Sequence, residues 1–412
     1  MGLARRRFLA STIAATAAPA LLRLARAEAQ ITLKLHHFFS SVSSGHDKFL
    51  APWARKVETD SGGRIRIDIF PSMQLGGAPA QLFDQARDGV ADIVWAVPAD
   101  TPGRFPKIEL FELPFVSARR ALVNSRALED YAAANLKDEF REIHPICFSC
   151  RDRSVVHASR TIQSIEELRG LRLHVPNRLA GEAMRALGAQ GVAMPLPQVP
   201  MAIAGQVING CVDPWDVVPG LKLHDLLKAH TDFTDASLST TTFVLAMNKA
   251  AYDRLPRGLK TVIDENSSQA AAGMAGAMWD AEGEAAAAMV RGRGDPVTML
   301  SAKEVARWRK ATEPVVAAWL KQMKERRIDG GKLLASAHAL TAKYANEPEP
   351  SPPQPLPPQP EQQVVTPSQQ HPQAKVEAPK VEAPKLDASA PLARPVAKPA
   401  PAAPLKDLDI PL

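Results

Sequence analysis

The stretch ADIVWAV, Ala91–Val97, holds a continuous apolar run of strand length from Ile93 to Val97. A strand half-exposed to water alternates apolar and polar residues, so an unbroken run reads as a central strand covered on both faces, the usual state of parallel sheets. What precedes it has the matching rhythm. ITLKLHHF begins as a strand with Ile31, Leu33 and Leu35 on one face. His46 to Ser61 places Phe49, Leu50, Trp53 and Val57 at helical spacing and closes on a glycine pair. RIRIDIF alternates, with Ile65, Ile67 and Ile69 on the buried side, and Gln81 to Gly89 is a second helix. Strand, helix, strand, helix, strand predicts an open α/β sheet.

A second unit of the same kind follows. PICFSCRDRSVVHAS is extended, SIEELRG is a short helix capped by Ser164 with Glu167 at its third position, and GLRLHVPN is a strand stopped by Pro176. RLAGEAMRALGA and MAIAGQVING read as helices, the second closed by Asn209-Gly210 and followed by a turn in CVDPWDVV, GVAMPLP reads as strand and loop, and TTTFVLAMN as a further strand. From Ala250 the chain is helical except near GDPVTML, and MAGAMWDAEGEAAAAMV is long enough to bridge two lobes.

The two ends differ in composition from this body. Arg5-Arg6-Arg7-Phe8-Leu9 begins a basic segment with an alanine-rich apolar stretch and an A-x-A site at Ala25-Arg26-Ala27. It reads as an export signal of the twin-arginine type, directing the chain to a bacterial periplasm. That segment holds five arginines and no acid, so the formal charge of +6 falls to +1 in a chain beginning at Glu28. Nothing in that balance argues for nucleic acid. No other stretch is apolar enough to span a membrane. Half of the 36 prolines fall in the last 66 residues, a composition that cannot fill a core and predicts a disordered tail over 346–412. Cys147 and Cys150 form a C-x-x-C pair within an extended segment, where such residues face opposite ways; idle buried thiols are expected.

Neither a glycine-rich nucleotide fingerprint nor a P-loop occurs, and there is no H-E-x-x-H and no G-x-S-x-G elbow. No nucleophile stands at a recognisable spacing from a base, which favours binding over catalysis; no cofactor or metal is expected. Ligands of open α/β sheets sit beyond the carboxyl ends of strands. The residues delivered there are His37 and Phe39, Trp95, Arg104, Arg151 and Arg153, His174, Trp215 and Asp216. Each has a plainer reading: the tryptophans fit a core, and the arginines can pair with Asp152 or a helix end. Aromatic walls with a few cationic donors are what a pocket for a small organic acid requires.

FPSMQLGG (70–77), DQARDGVADIVWAVP (84–98), TPGRFP (101–106) with FELPF (111–115), ELRGLRLHVPN (167–177), NGCVDPWDV (209–217) and TTFVLAMNKAAYDRLP (241–256) occur in an order that resembles the substrate-binding proteins of TRAP (tripartite ATP-independent periplasmic) transporters. The resemblance covers about Gln30 to Tyr344. It implies a two-lobed periplasmic-binding-protein-like α/β fold with hinge strands and a long lobe-spanning helix. The expected bounds are 28–151 with 240–279 for the first lobe and 152–239 with 280–345 for the second. It also implies capture of a small organic acid by lobe closure and delivery to a small and a large membrane subunit. A stand-alone periplasmic sensor touching a membrane receptor is the alternative.

His174 departs from the family pattern, which places there an arginine that grips the substrate carboxylate with two prongs. Imidazole cannot reproduce the planar fork of a guanidinium. Three substitutes follow, in order: Arg104, Arg151 or Arg153 as the anchor, a metal held by Asp216, or a ligand that is not a simple carboxylate. With Phe39, Trp95 and Trp215 close by, a bulky or aromatic acid fits better than a C4-dicarboxylate.

Overall fold

The computed structural model describes residues 30–234 and 236–347. The export-signal reading of 1–27 and the tail from 348 onward lie outside the described residues. The strands are β1 (Ile31–His37), β2 (Ile65–Phe70), β3 (Ile93–Ala96), β4 (Ile143–Cys150), β5 (Ser154–Ala158), β6 (Arg172–His174), β7 (Gln190–Val192), β8 (Gly210–Pro214), β9 (Ala229–Asp232), β10 (Thr242–Asn248) and β11 (Val297–Met299).

They form two sheets. The first has the order β2-β1-β3-β10-β4, with β1 parallel to β2 and β3, and β10 antiparallel to both its neighbours. Burial on both faces explains the unbroken apolar run of β3. Ile93 and Trp95 enter one core beside Leu33, Leu35, Phe243 and Leu245, while Val94 and Ala96 enter another beside Phe148, Val244 and Ala246. Cys147 and Cys150 likewise fall into the two opposite cores as free buried thiols, and burial pushes both well above the usual thiol range. The second sheet has the order β11-β9-β5-β8-β6-β7, again between two cores.

Two antiparallel segments carry the chain between the sheets. One is 151–153, joining β4 to β5; the other is 233–241, joining β9 to β10. They are tied by Arg151 N donating to Thr241 O at 2.9 Å and Ser154 N to Ser239 O at 3.0 Å. Helix Ser268–Gly292 crosses the same boundary. Its Ala271, Ala275, Met278 and Trp279 pack in the first lobe, and its Ala286, Ala287 and Val290 in the second. Helix Ala302–Glu325 crosses as well, from Trp308 in the second lobe to Val315, Trp319 and Met323 in the first. Helix Gly330–Ala345 adds Leu333, Ala337 and Tyr344 to the first lobe's core. The final stretch of 280–345, from about Val315, therefore packs with the first lobe, where the sequence reading put it in the second. The cause is the second crossing: amphipathic periodicity shows that these helices bury a face but not which core receives it.

Within the first lobe, helix Ser268–Gly292 comes close to the start of helix Ala121–Asn135. A Cβ on Gly276 would lie 2.6 Å from Leu122 Cα and 2.9 Å from Ala121 O, backbone atoms that cannot rotate away. Gly276→Ala is expected to cost about 1–3 kcal/mol through overpacking, measured as a lower denaturant midpoint with an unchanged slope. An unchanged midpoint would mean that the two helices separate freely.

Candidate functional site

The predicted residues separate into distinct environments. Arg104 is committed within the first lobe, its Nη2 bonded to Asp84 at 2.8 Å and its guanidinium over Phe83 at 4.4 Å. Arg153 is buried in the hinge. Its Nε and Nη2 clasp the Asp232 carboxylate at 2.9–3.1 Å, Nη1 donates to Asp152 at 3.0 Å, and Nη2 also reaches Glu284 at 3.3 Å. Burial would raise the Asp232 carboxyl, but hydrogen bonds and charge from Arg153, with Arg119 beside it, hold it below its ordinary value. Asp152 is pushed up to about 8, burial outweighing the pull of Arg153. Trp215 is core: its Nε1 donates to Asp232 at 3.2 Å, and its ring packs on His157 and His230.

His174 is also committed. Nδ1 meets Asp213 Oδ2 at 2.7 Å and Nε2 meets the Met194 carbonyl at 3.1 Å. A carboxylate and a carbonyl both require a donor, so the arrangement suits the doubly protonated ring. Burial alone would lower its pKa, but the charge and hydrogen bond of Asp213 and the Met194 carbonyl raise it above 6.5. A raised folded pKa stabilises fully below the unfolded value, and that stabilisation fades as pH rises through the folded one. The melting-temperature gap between wild type and His174→Gln is therefore expected to be larger at pH 6 than at pH 9. A gap constant with pH would mean that His174 is neutral in the fold. In this conformation His174 has no ring nitrogen to offer a ligand.

His37 is buried, its Nε2 paired with His46 Nδ1 at 2.9 Å; burial, then the charges of His46 and His36, lower it to about 3. It lies opposite Trp95 in the register of β1 and β3.

The remaining four gather about one guanidinium: Arg151 pairs with Asp216 and lies near Phe39, which packs on Trp95. Arg151 leaves the end of β4 with Nη2 on Asp216 Oδ2 at 2.5 Å, and its guanidinium carbon lies 4.8 Å from the Trp279 ring centroid and 5.9 Å from that of Phe39. Behind these, Trp95 stacks on Phe243 at 4.7 Å and on Trp279 at 6.1 Å, and Phe39 tilts against Trp95 at 5.1 Å. Gly45 permits this packing, since a Cβ there would come within 2.6 Å of the Trp95 ring. Phe39 is only half-buried, the open side of the aromatic wall.

This cluster concentrates uncommitted polar atoms. Arg151 Nε, Trp95 Nε1, Trp279 Nε1 and Asp216 Oδ1 are all buried and have no hydrogen-bond partner within the protein. Buried polar groups are nearly always satisfied, so several orphans around one guanidinium mark a place where something else completes the bonds. Surface depressions of about 340, 460 and 310 Å³ on the first lobe share no residue with it. Trp279 and Phe243 were not singled out from sequence. Trp279 sits inside an alanine-rich helix, and its lone large aromatic was the one available signal.

The bacterial extracellular solute-binding protein family 7 model matches residues 36–322. A TRAP solute-binding protein from Rhodoferax ferrireducens, solved with copurified benzoate, is 38% identical with a TM-score of 0.73, covering 77% of this chain and 99% of that one. A marine metagenome TRAP solute-binding protein specific for aromatic acid ligands, solved with 3-hydroxybenzoate, matches at 38% identity and TM-score 0.73 over the same shares. A third, from Bordetella bronchiseptica with bound (R)- and (S)-mandelate, is 25% identical with a TM-score of 0.70, covering 76% and 99%. A Haemophilus influenzae relative is 26% identical over 212 residues, 50% of this chain and 63% of its own length. The resemblance first seen in six short motifs thus extends through both sheets and both crossing helices, and the chain belongs to the bacterial extracellular solute-binding proteins of family 7, as a TRAP-type substrate-binding protein.

Proposed function

We propose that the protein captures an aromatic carboxylate between its lobes and, after export to the periplasm by the twin-arginine route, delivers it to the small and large membrane subunits of a TRAP-type importer. The observation that carries this reading is Arg151. Its guanidinium lies against a wall formed by the adjoining rings of Trp279 and Phe39, and its Nε is uncommitted. A guanidinium beside an aromatic wall suits a ligand with a flat apolar ring and a carboxylate at one end. Benzoate, 3-hydroxybenzoate and mandelate in the related structures have that form. Among the described residues no helix is long and apolar enough to cross a membrane, which fits a binding component that works beside separate membrane subunits.

Closure costs nothing in covalent terms and needs only differential affinity for the closed state. Across the gap Arg178 of the second lobe meets Glu109 of the first at 2.8 Å, a contact of the kind that opens and closes with the lobes. Thermal unfolding against a panel of acids tests the reading. An aromatic acid at a hundred times its dissociation constant adds about 2.7 kcal/mol, whereas succinate and other C4-dicarboxylates leave the melting temperature unchanged. Stabilisation by succinate alone would overturn the assignment.

A further inference from the structure

Resting on that reading, we infer that the ligand carries a hydroxyl group as well as a carboxylate, and that Asp216 is the residue that selects it. Three uncommitted groups are donors: Arg151 Nε, Trp95 Nε1 and Trp279 Nε1. A carboxylate or a π-face answers donors. The fourth, Asp216 Oδ1, is an acceptor without a partner, and a carboxylate ligand cannot answer it.

Asp216 is held in place for this role. Its other oxygen, Oδ2, accepts from Arg151 Nη2 at 2.5 Å, and its side chain is 13% exposed. The flanking Trp215 and Val217 are fixed in the second lobe's core. Asp216 therefore reaches the guanidinium from the second lobe, while Phe39 and Trp95 reach the cluster from the first. A bare aromatic acid would bring a second carboxylate near Asp216 with nothing for Oδ1 to bind. A hydroxylated one donates an O–H to Oδ1, turning a repulsive neighbour into a charge-assisted bond and tying the ligand to both lobes.

Calorimetric titration of the folded protein with benzoate and with the 2-, 3- and 4-hydroxybenzoates, each beside its fluoro counterpart, tests this. Fluorine is close to hydroxyl in size and donates no hydrogen bond. At least one hydroxyl isomer is expected to bind about tenfold to a hundredfold more tightly than its fluoro partner. In Asp216→Ala that ratio falls to near one, and in Asp216→Asn, a neutral acceptor, to an intermediate value. A wild-type ratio near one for all three pairs, with benzoate bound, overturns the hydroxyl inference and leaves the carboxylate site standing. A wild-type preference that survives in Asp216→Ala removes Asp216 from the role. Failure of benzoate and every derivative to bind overturns the site itself and this inference with it.

Discussion

Arg151→Lys lowers the affinity for an aromatic carboxylate by about 100-fold, and Arg104→Lys leaves it unchanged. A guanidinium held by Asp216 presents its free Nε–H to the carboxylate in a fixed direction, and hydrogen bonds to charged groups contribute roughly 1.5–3 kcal/mol each. Lysine keeps the positive charge but presents a point donor on a flexible stem, so the directed Nε donor and the contact of the guanidinium with the Trp279 ring are lost. A loss of about 2.8 kcal/mol corresponds to two decades in dissociation constant. Alanine would go further but would strand the Asp216 carboxylate, confounding binding with stability, which makes lysine the cleaner probe. Arg104 serves as the control because it is paired with Asp84 and packed on Phe83 and Phe105. Equal losses in the two variants would mean that the carboxylate is not held at the hinge.

The largest expected effect on stability is at Arg153. Asp232 and Asp152 are almost fully buried, and Arg153 supplies most of their hydrogen bonds. Removing one partner of a buried ion pair costs about 3–5 kcal/mol because the charge left behind is unpaired. Arg153→Met is expected to lower the melting temperature by on the order of 10 °C, with Arg119, still 3.1 Å from Asp232, limiting the loss. The effect has a sign in pH. The folded pKa of Asp232 is depressed, so its stabilisation is present above the unfolded carboxyl value and is lost as pH falls through the folded one. The gap between wild type and Arg153→Met should therefore narrow toward pH 3. A variant that melts with wild type at neutral pH would show that the acidic groups find other partners.

Arg151 and Arg153 also show what sequence could and could not disclose. Both were candidates for the anchor because both lie at the end of an extended segment. Their partners, Asp216 and Asp232, stand 65 and 79 residues away, and no local pattern distinguishes a saturated guanidinium from one with a free edge. His174 illustrates the same gap. Its place at a strand end was legible, but the Asp213 carboxylate and the Met194 carbonyl that occupy its ring come from β8 and from the loop after β7. The sheets were easier. Period-two alternation in β2 and the unbroken run in β3 report burial on one face or two, and burial is what those patterns record. The long helix was legible from length, whereas the contribution of Trp279 to the aromatic wall depends on its rotation about the axis, set by Gly276 against the Leu122 backbone.

The most direct test of the account is a crystal structure of the protein with benzoate or a hydroxybenzoate. The account predicts the carboxylate within hydrogen-bond distance of Arg151 Nε, with the ring against Phe39 and Trp279. A carboxylate held by Arg104 or His174, or a ligand seated away from the aromatic cluster, would contradict it.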